Sequence, residues 1–317
     1  MSSLDALSQL VTVSLLQTSI VLLPPYIIAS IGETFAERAG VINIGIEGIL
    51  VLGAFLGFFG QQAFGSPLIG FALAAIGGLV LSLVLGYWCI TLKVNQIVTG
   101  LGIFFVGFGL ASYLQTLLYP GGMPARIDTL QNIAIPGLSQ IPILGTIFFD
   151  HNYIVYFSFL LVVVSYYIIE KTRIGREIRA VGMDPSVADS MGINVFRVRY
   201  ACVAFNGLLI GIAGAYLTQA VIGRFNLFLT GGQGFIILAI VIVGLWDPKK
   251  ILIIAFFFSI LESVQFRFQD VIDVPVQILL MTPYIATIFI LLTIQLRGNL
   301  GAQMPDALTV NYERGET

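Results

Sequence analysis

Charge is scarce in this sequence. Asp, Glu, Lys and Arg make up 10% of its 317 residues, against about 25% in soluble domains. So few charges cannot cover a water-facing surface, and a soluble enzyme is excluded. Histidine occurs once, at His151, and cysteine twice, at Cys89 and Cys202 in apolar runs. That leaves no disulfide framework and no structural zinc site, and no bound metal is expected. A net charge of -2 gives no basic footprint for nucleic acid. There is no Gly-x-x-x-x-Gly-Lys-(Ser/Thr) stretch, hence no phosphate-cradling loop, and the chain alone cannot hydrolyse ATP. The first ten residues hold Asp5 and neither Lys nor Arg. They lack the basic region of a secretory signal, so residue 11 onwards is read as retained structure.

What is present is hydrocarbon: 57% hydrophobic residues and a mean hydropathy of +0.97. Runs near the roughly 20 residues that a spanning helix needs fall at 11–31, 41–60, 67–92, 97–118, 153–169, 200–222 and 278–296. Two shorter runs, 232–246 and 251–264, read as tilted spans or helices broken inside the protein. The expected fold is an all-α polytopic integral membrane protein, one transmembrane domain over 1–317, with about eight to ten spans. If 170–199 is a cytoplasmic loop, alternation through nine spans puts 12 of the 15 Lys and Arg on the same side. The reverse orientation leaves 3, so the basic-loop rule places the N-terminus outside and the C-terminus inside. Region 119–152, rich in Pro and Gly, is then an irregular extracytoplasmic cap, and 298–317 reads as a loose cytoplasmic tail.

Two segments match without gaps, Gly45-Ile46-Glu47-Gly48 and Gly231-Gly232-Gln233-Gly234, each followed by an aliphatic run. An odd number of crossings apart, they would run in opposite directions, as in transporters built from inverted repeats. Chance matching in a Gly-rich apolar chain is the competing explanation. Polar groups within the spans include Asn43, Glu47, Asn95, Gln96 and Gln233. Such groups are costly in hydrocarbon and face a protein interior or an aqueous path. They read as the lining of a solute path or as ties between helix ends, Glu47 bonding to backbone amides or to Arg38. Gly53-xxx-Gly57 and Gly207-xxx-Gly211 read as close helix contacts.

The loop 170–199 carries six basic residues and too much sequence for a hairpin turn. Residues 172–181 form an amphipathic helix with Gly182 as its stop. Asp184 is an N-cap, Pro185 suits the first helical position, and a second short helix ends at Gly192. A rigid knob for a partner and a basic anchor for anionic lipid are the two readings; Asp184 and Asp189 argue against lipid alone.

The stretch Glu37-Arg38-Ala39-Gly40-Val41-Ile42-Asn43-Ile44-Gly45-Ile46-Glu47-Gly48, then Lys93-Val94-Asn95-Gln96-Ile97-Val98-Thr99-Gly100, and the loop motif Arg179-Ala180-Val181-Gly182-x-x-Pro185 with Gly192-Ile193, resemble the membrane-spanning subunit of bacterial ABC importers of the simple-sugar, nucleoside and branched-chain amino acid group. The first motif is most similar to the nucleoside and simple-sugar branch. The resemblance spans about residues 31–297. It implies a permease in the bacterial cytoplasmic membrane whose coupling helix docks on a separate ATPase that binds the ATP, with Arg179, Gly182, Asp184, Pro185, Ala188 and Gly192 carrying the coupling. It further implies a second, related permease chain, an extracytoplasmic solute-binding protein or lipoprotein, and a small-molecule solute. Val187 stands where many relatives have Ala, and Asp189 where basic or neutral residues are frequent.

Two other classes remain open on the residues themselves. An ion-coupled secondary transporter would share the repeat and the polar residues but has no need of the capped loop helix. A membrane-embedded enzyme would need clustered catalytic groups; Asp270 and Asp273 form the one close outside pair, without His or Cys.

Overall fold

The computed structural model describes residues 13–122, 126–268, 281–296 and 304–313. Asp270, Asp273, Arg297 and Arg314 lie outside them. Among the described residues, nine helices correspond to the nine apolar segments. They are α1 (Val13–Arg38), α2 (Ile46–Phe64), α3 (Pro67–Gly86), α4 (Gln96–Leu118), α6 (Tyr153–Lys171), α9 (Val195–Tyr216), α10 (Gln233–Val243), α11 (Pro248–Phe268) and α12 (Thr282–Leu296). Between them lie the short α5 (Leu144–Phe148), α7 (Arg173–Met183) and α8 (Pro185–Ser190). Helices α3 and α9 each run on through a π-helical turn, Tyr87–Thr91 and Leu217–Ile222. With those turns, six helices among the described residues are long and apolar enough to cross a membrane. The chain is an all-α polytopic membrane protein.

The first span is longer than its apolar run. It continues past residue 31 to Arg38 and takes Glu33 and Glu37 into the protein interior, both fully buried. Midway it contains Pro24 and Pro25. Proline lacks the amide that would bond four residues back, so Pro25 frees the carbonyl of Val21. The Tyr216 hydroxyl donates to that carbonyl at 2.9 Å and accepts from Asn152 Nδ2 at 3.2 Å. One proline defect thus ties α1 to α9 and to the start of α6.

The centre is held by small residues. Gly78 on α3 faces Gly207 and Gly211 on α9, and Gly53 and Gly57 on α2 face Gly211 and Ala215. The nearest atoms are mostly backbone, so helix axes approach closely along both predicted glycine pairs. The opposite faces are apolar and open, with Phe105 and Tyr113 on α4 and Leu160 and Val163 on α6 all more than 59% exposed. Such rows fit lipid.

The cap, 119–152, is irregular but tied down. Strands β1 (Ile133–Ala134) and β2 (Asp150–His151) pair antiparallel, Ile133 opposite His151. His151 is buried, and its Nε2 lies 2.7 Å from the Ile147 carbonyl oxygen. Burial pushes the imidazole below its ordinary 6.5; the Ile147 carbonyl and Asp150 oppose that shift without cancelling it. The unfolded cap would take up a proton that the folded cap refuses. Cap stability is therefore full above the unfolded value and falls as pH drops through it. Protection factors of the amides across α5 and β2, corrected for the intrinsic base-catalysed exchange rate, should be lower at about pH 5.5 than at about pH 7.5. In His151→Gln that pH dependence should vanish; its persistence would acquit the histidine.

Residues 304–313 do not form a loose tail. Ala307 N donates to Gly182 O at 2.9 Å, Arg199 Nη1 donates to Val310 O at 3.1 Å, and Tyr312 packs with Val181, Ala188 and Val195. The apolar side chains Ala307, Leu308 and Tyr312, scattered in a polar stretch, supply the buried contacts.

Candidate functional site

The two matched segments meet. Helix α10 begins at Gln233 after a turn in which Gly231 and Gly232 take left-handed φ values of 54° and 90°. Gly232 at the N-cap has no side chain with which to cap the helix. Glu47, in the first turn of α2, does so from across the repeat. Its Oε1 accepts from Gly232 N at 2.8 Å and from Thr230 Oγ1 at 2.6 Å, and its Oε2 accepts from Gly234 N at 2.7 Å. A carboxylate satisfies otherwise orphaned helix-start amides and suits the positive end of the helix. A Cβ on Gly234 would lie 2.6 Å from Glu47 N, so the approach is backbone to backbone.

From this junction the helices diverge. Helix α2 runs to the cap, where Gln61 Nε2 donates to Asp128 O at 2.6 Å. Helix α10 runs to the loop side, where Arg38 Nε donates to Trp246 O at 2.9 Å. The matched segments therefore point in opposite directions, as the inverted-repeat reading expects. Helix α10, 11 residues long, covers about 16 Å at 1.5 Å per residue, roughly half a bilayer core.

Above the junction on the cap side lies a cavity of about 530 Å³. Its wall includes the rings of Tyr26, Phe225, Phe228, Phe266 and Tyr284 and the polar side chains of Asn226, Gln233, Glu262 and Gln265. Gln233 Nε2 donates to Glu262 Oε1 at 2.7 Å. Among the described residues Gln233 Oε1 is left buried without a hydrogen-bond partner, and Tyr26 lies beside Glu262.

The five path candidates separate. Gln233 lines the cavity and Glu47 holds its floor through Thr230 and Gly232. Asn43 lies deeper: its amide nitrogen donates to Glu33 Oε1 at 2.8 Å, and its Nδ2 donates to Asn206 Oδ1 at 3.4 Å. Asn95 caps α4, accepting from Ile97 N and Val98 N. Gln96 ties the α1–α2 connection, accepting from Ile42 N at 2.9 Å and donating to Gly40 O at 3.3 Å. Those bonds are the helix-end ties weighed for these residues. Sequence reasoning passed over Glu33, Glu37, Asn206 and Glu262. The first two fell beyond a span cut at residue 31. Asn206 and Glu262 stand inside apolar runs, where a polar residue was itself the signal.

On the loop side, α7 and α8 form as expected, with one difference. Asp184 Oδ1 accepts from Ser186 N at 2.9 Å and Val187 N at 3.0 Å, Pro185 opens α8, and Gly192 follows it with φ 85°. Gly182 is not a stop. Helix α7 continues through it to Met183, and a Cβ there would overlap the Arg38 carbonyl oxygen. Close packing on the end of α1, not a left-handed turn, explains that glycine. Arg179 Nη1 pairs with Glu170 Oε2 at 2.8 Å, and Arg38 Nη1 approaches the same carboxylate at 3.5 Å. Ala188 faces inward, while Met183, Val187 and Met191, spaced four apart, are 53%, 53% and 78% exposed. Among the described residues no group of three or more His, Cys, Asp or Glu could hold a metal ion.

A family model described as branched-chain amino acid transport system / permease component matches residues 15–295. Over 307 residues, 92% of this chain and 94% of the relative, the sequence is 36% identical to the guanosine ABC transporter permease protein NupQ of Bacillus subtilis. It is 32% identical over 84% of its length to the nucleoside ABC transporter permease protein NupC of Lactococcus lactis, covering 87% of that protein. A putative glucose ABC transporter permease protein of Haloferax volcanii, TsgC13, is 31% identical over 91% of this chain and 94% of its own. No solved structure matches. The coverage is nearly end to end, and the membrane helices and capped loop helix accord with it: the chain belongs to this permease family and is a permease subunit of an ABC importer.

Proposed function

We propose that the chain forms the membrane path for a nucleoside, with the aromatic cavity as part of that path. The single observation that carries this is the cavity wall: five aromatic rings beside amide and carboxylate groups. Rings offer stacking faces for a base, and the polar side chains offer partners for base and ribose edges. A volume of about 530 Å³ lies within the roughly 300–1,000 Å³ of small-molecule sites. The names of NupQ and NupC support the same solute class; TsgC13 keeps simple sugars as the alternative.

In this reading the α7–α8 face is cytoplasmic. Arg38, Arg179, Arg199 and Lys93 gather near it, as the basic-loop rule favours. The α7–α8 face docks on a separate ATPase through Met183 at the end of α7, Val187 on α8 and Met191 just after it, and that ATPase binds the ATP. A second, related permease completes the membrane part, and an extracytoplasmic binding protein delivers solute to the cap. Replacing Val187 and Met191 together by Asp should abolish ATPase stimulation while leaving the amount of inserted permease unchanged. Solute choice is read by competition against labelled guanosine uptake in membranes holding the whole transporter. Excess unlabelled nucleoside should suppress uptake and excess glucose or ribose should not; no ATP-dependent guanosine uptake at all would remove the nucleoside reading.

A further inference from the structure

Polar contacts hold α10 at both ends, one set on the loop side and one at the cavity. At its lower end the Trp246 Nε1–H donates to Glu37 Oε2, and Arg38 Nε donates to the Trp246 carbonyl at 2.9 Å. Arg38 and Arg179 share Glu170, at 3.5 and 2.8 Å, so the clamp reaches α7. Trp246 is 2% exposed and packs with Val241 of α10 and Leu308 of the 304–313 segment. Leu245 and Trp246 both take φ 54° although neither is glycine. Two successive left-handed residues persist only where their surroundings over-determine them. The clamp does so: both faces of the Trp246 residue, indole and carbonyl, are fixed by successive residues of α1. At its upper end α10 carries Gln233, which lines the cavity and bonds Glu262, and its first amides bond Glu47.

We propose that the Glu37–Arg38–Trp246 clamp makes α10 the element that transmits movement of the α7–α8 loop to the cavity wall. Trp246 is a positioning residue: it touches no solute, and it fixes the lower end of a helix whose upper end carries wall residues. This rests on the importer reading, because the movement originates at the ATPase docking face. A short apolar helix hydrogen-bonded at both ends moves as a unit, so displacing the clamp displaces Gln233.

The test uses the complete transporter in proteoliposomes, with assembled complex, ATP hydrolysis and guanosine uptake measured together. Trp246→Phe keeps an aromatic ring, smaller than the indole, and removes the N–H. Glu37→Leu removes the acceptor, whereas Glu37→Gln keeps an oxygen to receive the indole proton. Uptake per ATP hydrolysed should fall about tenfold in Trp246→Phe and Glu37→Leu, the scale of one lost buried hydrogen bond, with hydrolysis retained. Glu37→Gln should stay near wild type. A purely structural clamp would lower complex yield, hydrolysis and uptake in proportion, leaving the ratio unchanged; that result overturns the proposal. If wild-type transporter couples and both disruptive variants keep its ratio, the transmission role alone falls. If wild type shows no ATP-driven uptake, the importer reading falls first and this inference with it.

Discussion

Glu47→Leu is expected to cost most of the folded permease. Its two oxygens serve three donors, the Thr230 hydroxyl and the amides of Gly232 and Gly234, and the site is buried. Leucine accepts nothing, so three donors lose their partner in a place that water does not readily reach. Each orphaned buried group costs about 1–3 kcal/mol, and the sum rivals the stability of an ordinary domain. Glu47→Gln keeps one accepting oxygen but turns an NH₂ toward one of the amides, so it should lose about one of those bonds rather than all. The order of assembled complex in detergent should be Glu, then Gln, then Leu. Uptake per assembled complex should fall as well, because the 230–234 turn contributes to the cavity wall. Wild-type yield in Glu47→Leu would show that the junction is not held this way.

Gly207→Val should also be damaging, for a different reason. Its added atoms would collide with the Gly78 carbonyl and with Ser82, where α3 and α9 touch through their backbones. Backbone cannot step aside as a flexible side chain can, so the helices must separate and forfeit the central contact. Overpacking of this kind costs about 1–3 kcal/mol and occasionally more. Gly109→Ala is the control, since among the described residues nothing lies within 4 Å of a Cβ there, and alanine is the better helix former by about 1 kcal/mol. Thermal unfolding of the two purified variants should move in opposite directions. A Gly207→Val protein as stable as wild type would contradict the packing described.

Much of this was legible in the residues. Apolar length marked nine helical segments, because a lipid-facing helix must be continuous hydrocarbon for most of its length. Asp184-Pro185 announced the start of α8 through cap chemistry that is local in sequence. The Gly-x-(Glu/Gln)-Gly match marked the two segments that meet, but not that Glu47 of one caps the helix of the other, since that bond joins residues 185 positions apart. Hydropathy also ended α1 too early. Glu33 and Glu37 look like solvent-side residues until Asn43, Asn206 and Trp246 are brought to them by the fold. The same limit hid the strapping of 304–313, where Ala307, Leu308 and Tyr312 have no helical period to betray them. Gly182 was ambiguous in principle: a glycine that ends a helix and one that lets a neighbour's carbonyl approach look alike in sequence.

The role of a permease that depends on a separate ATPase is tested most directly by the energy source for uptake. Purified permease subunits, ATPase and binding protein are placed in one set of proteoliposomes and this chain alone in another, and guanosine accumulation is followed with ATP or with an imposed proton or sodium gradient. Accumulation should require ATP and the full set of subunits, and should survive ionophores that collapse both gradients. Accumulation by this chain alone, driven by an ion gradient without ATPase, would contradict it.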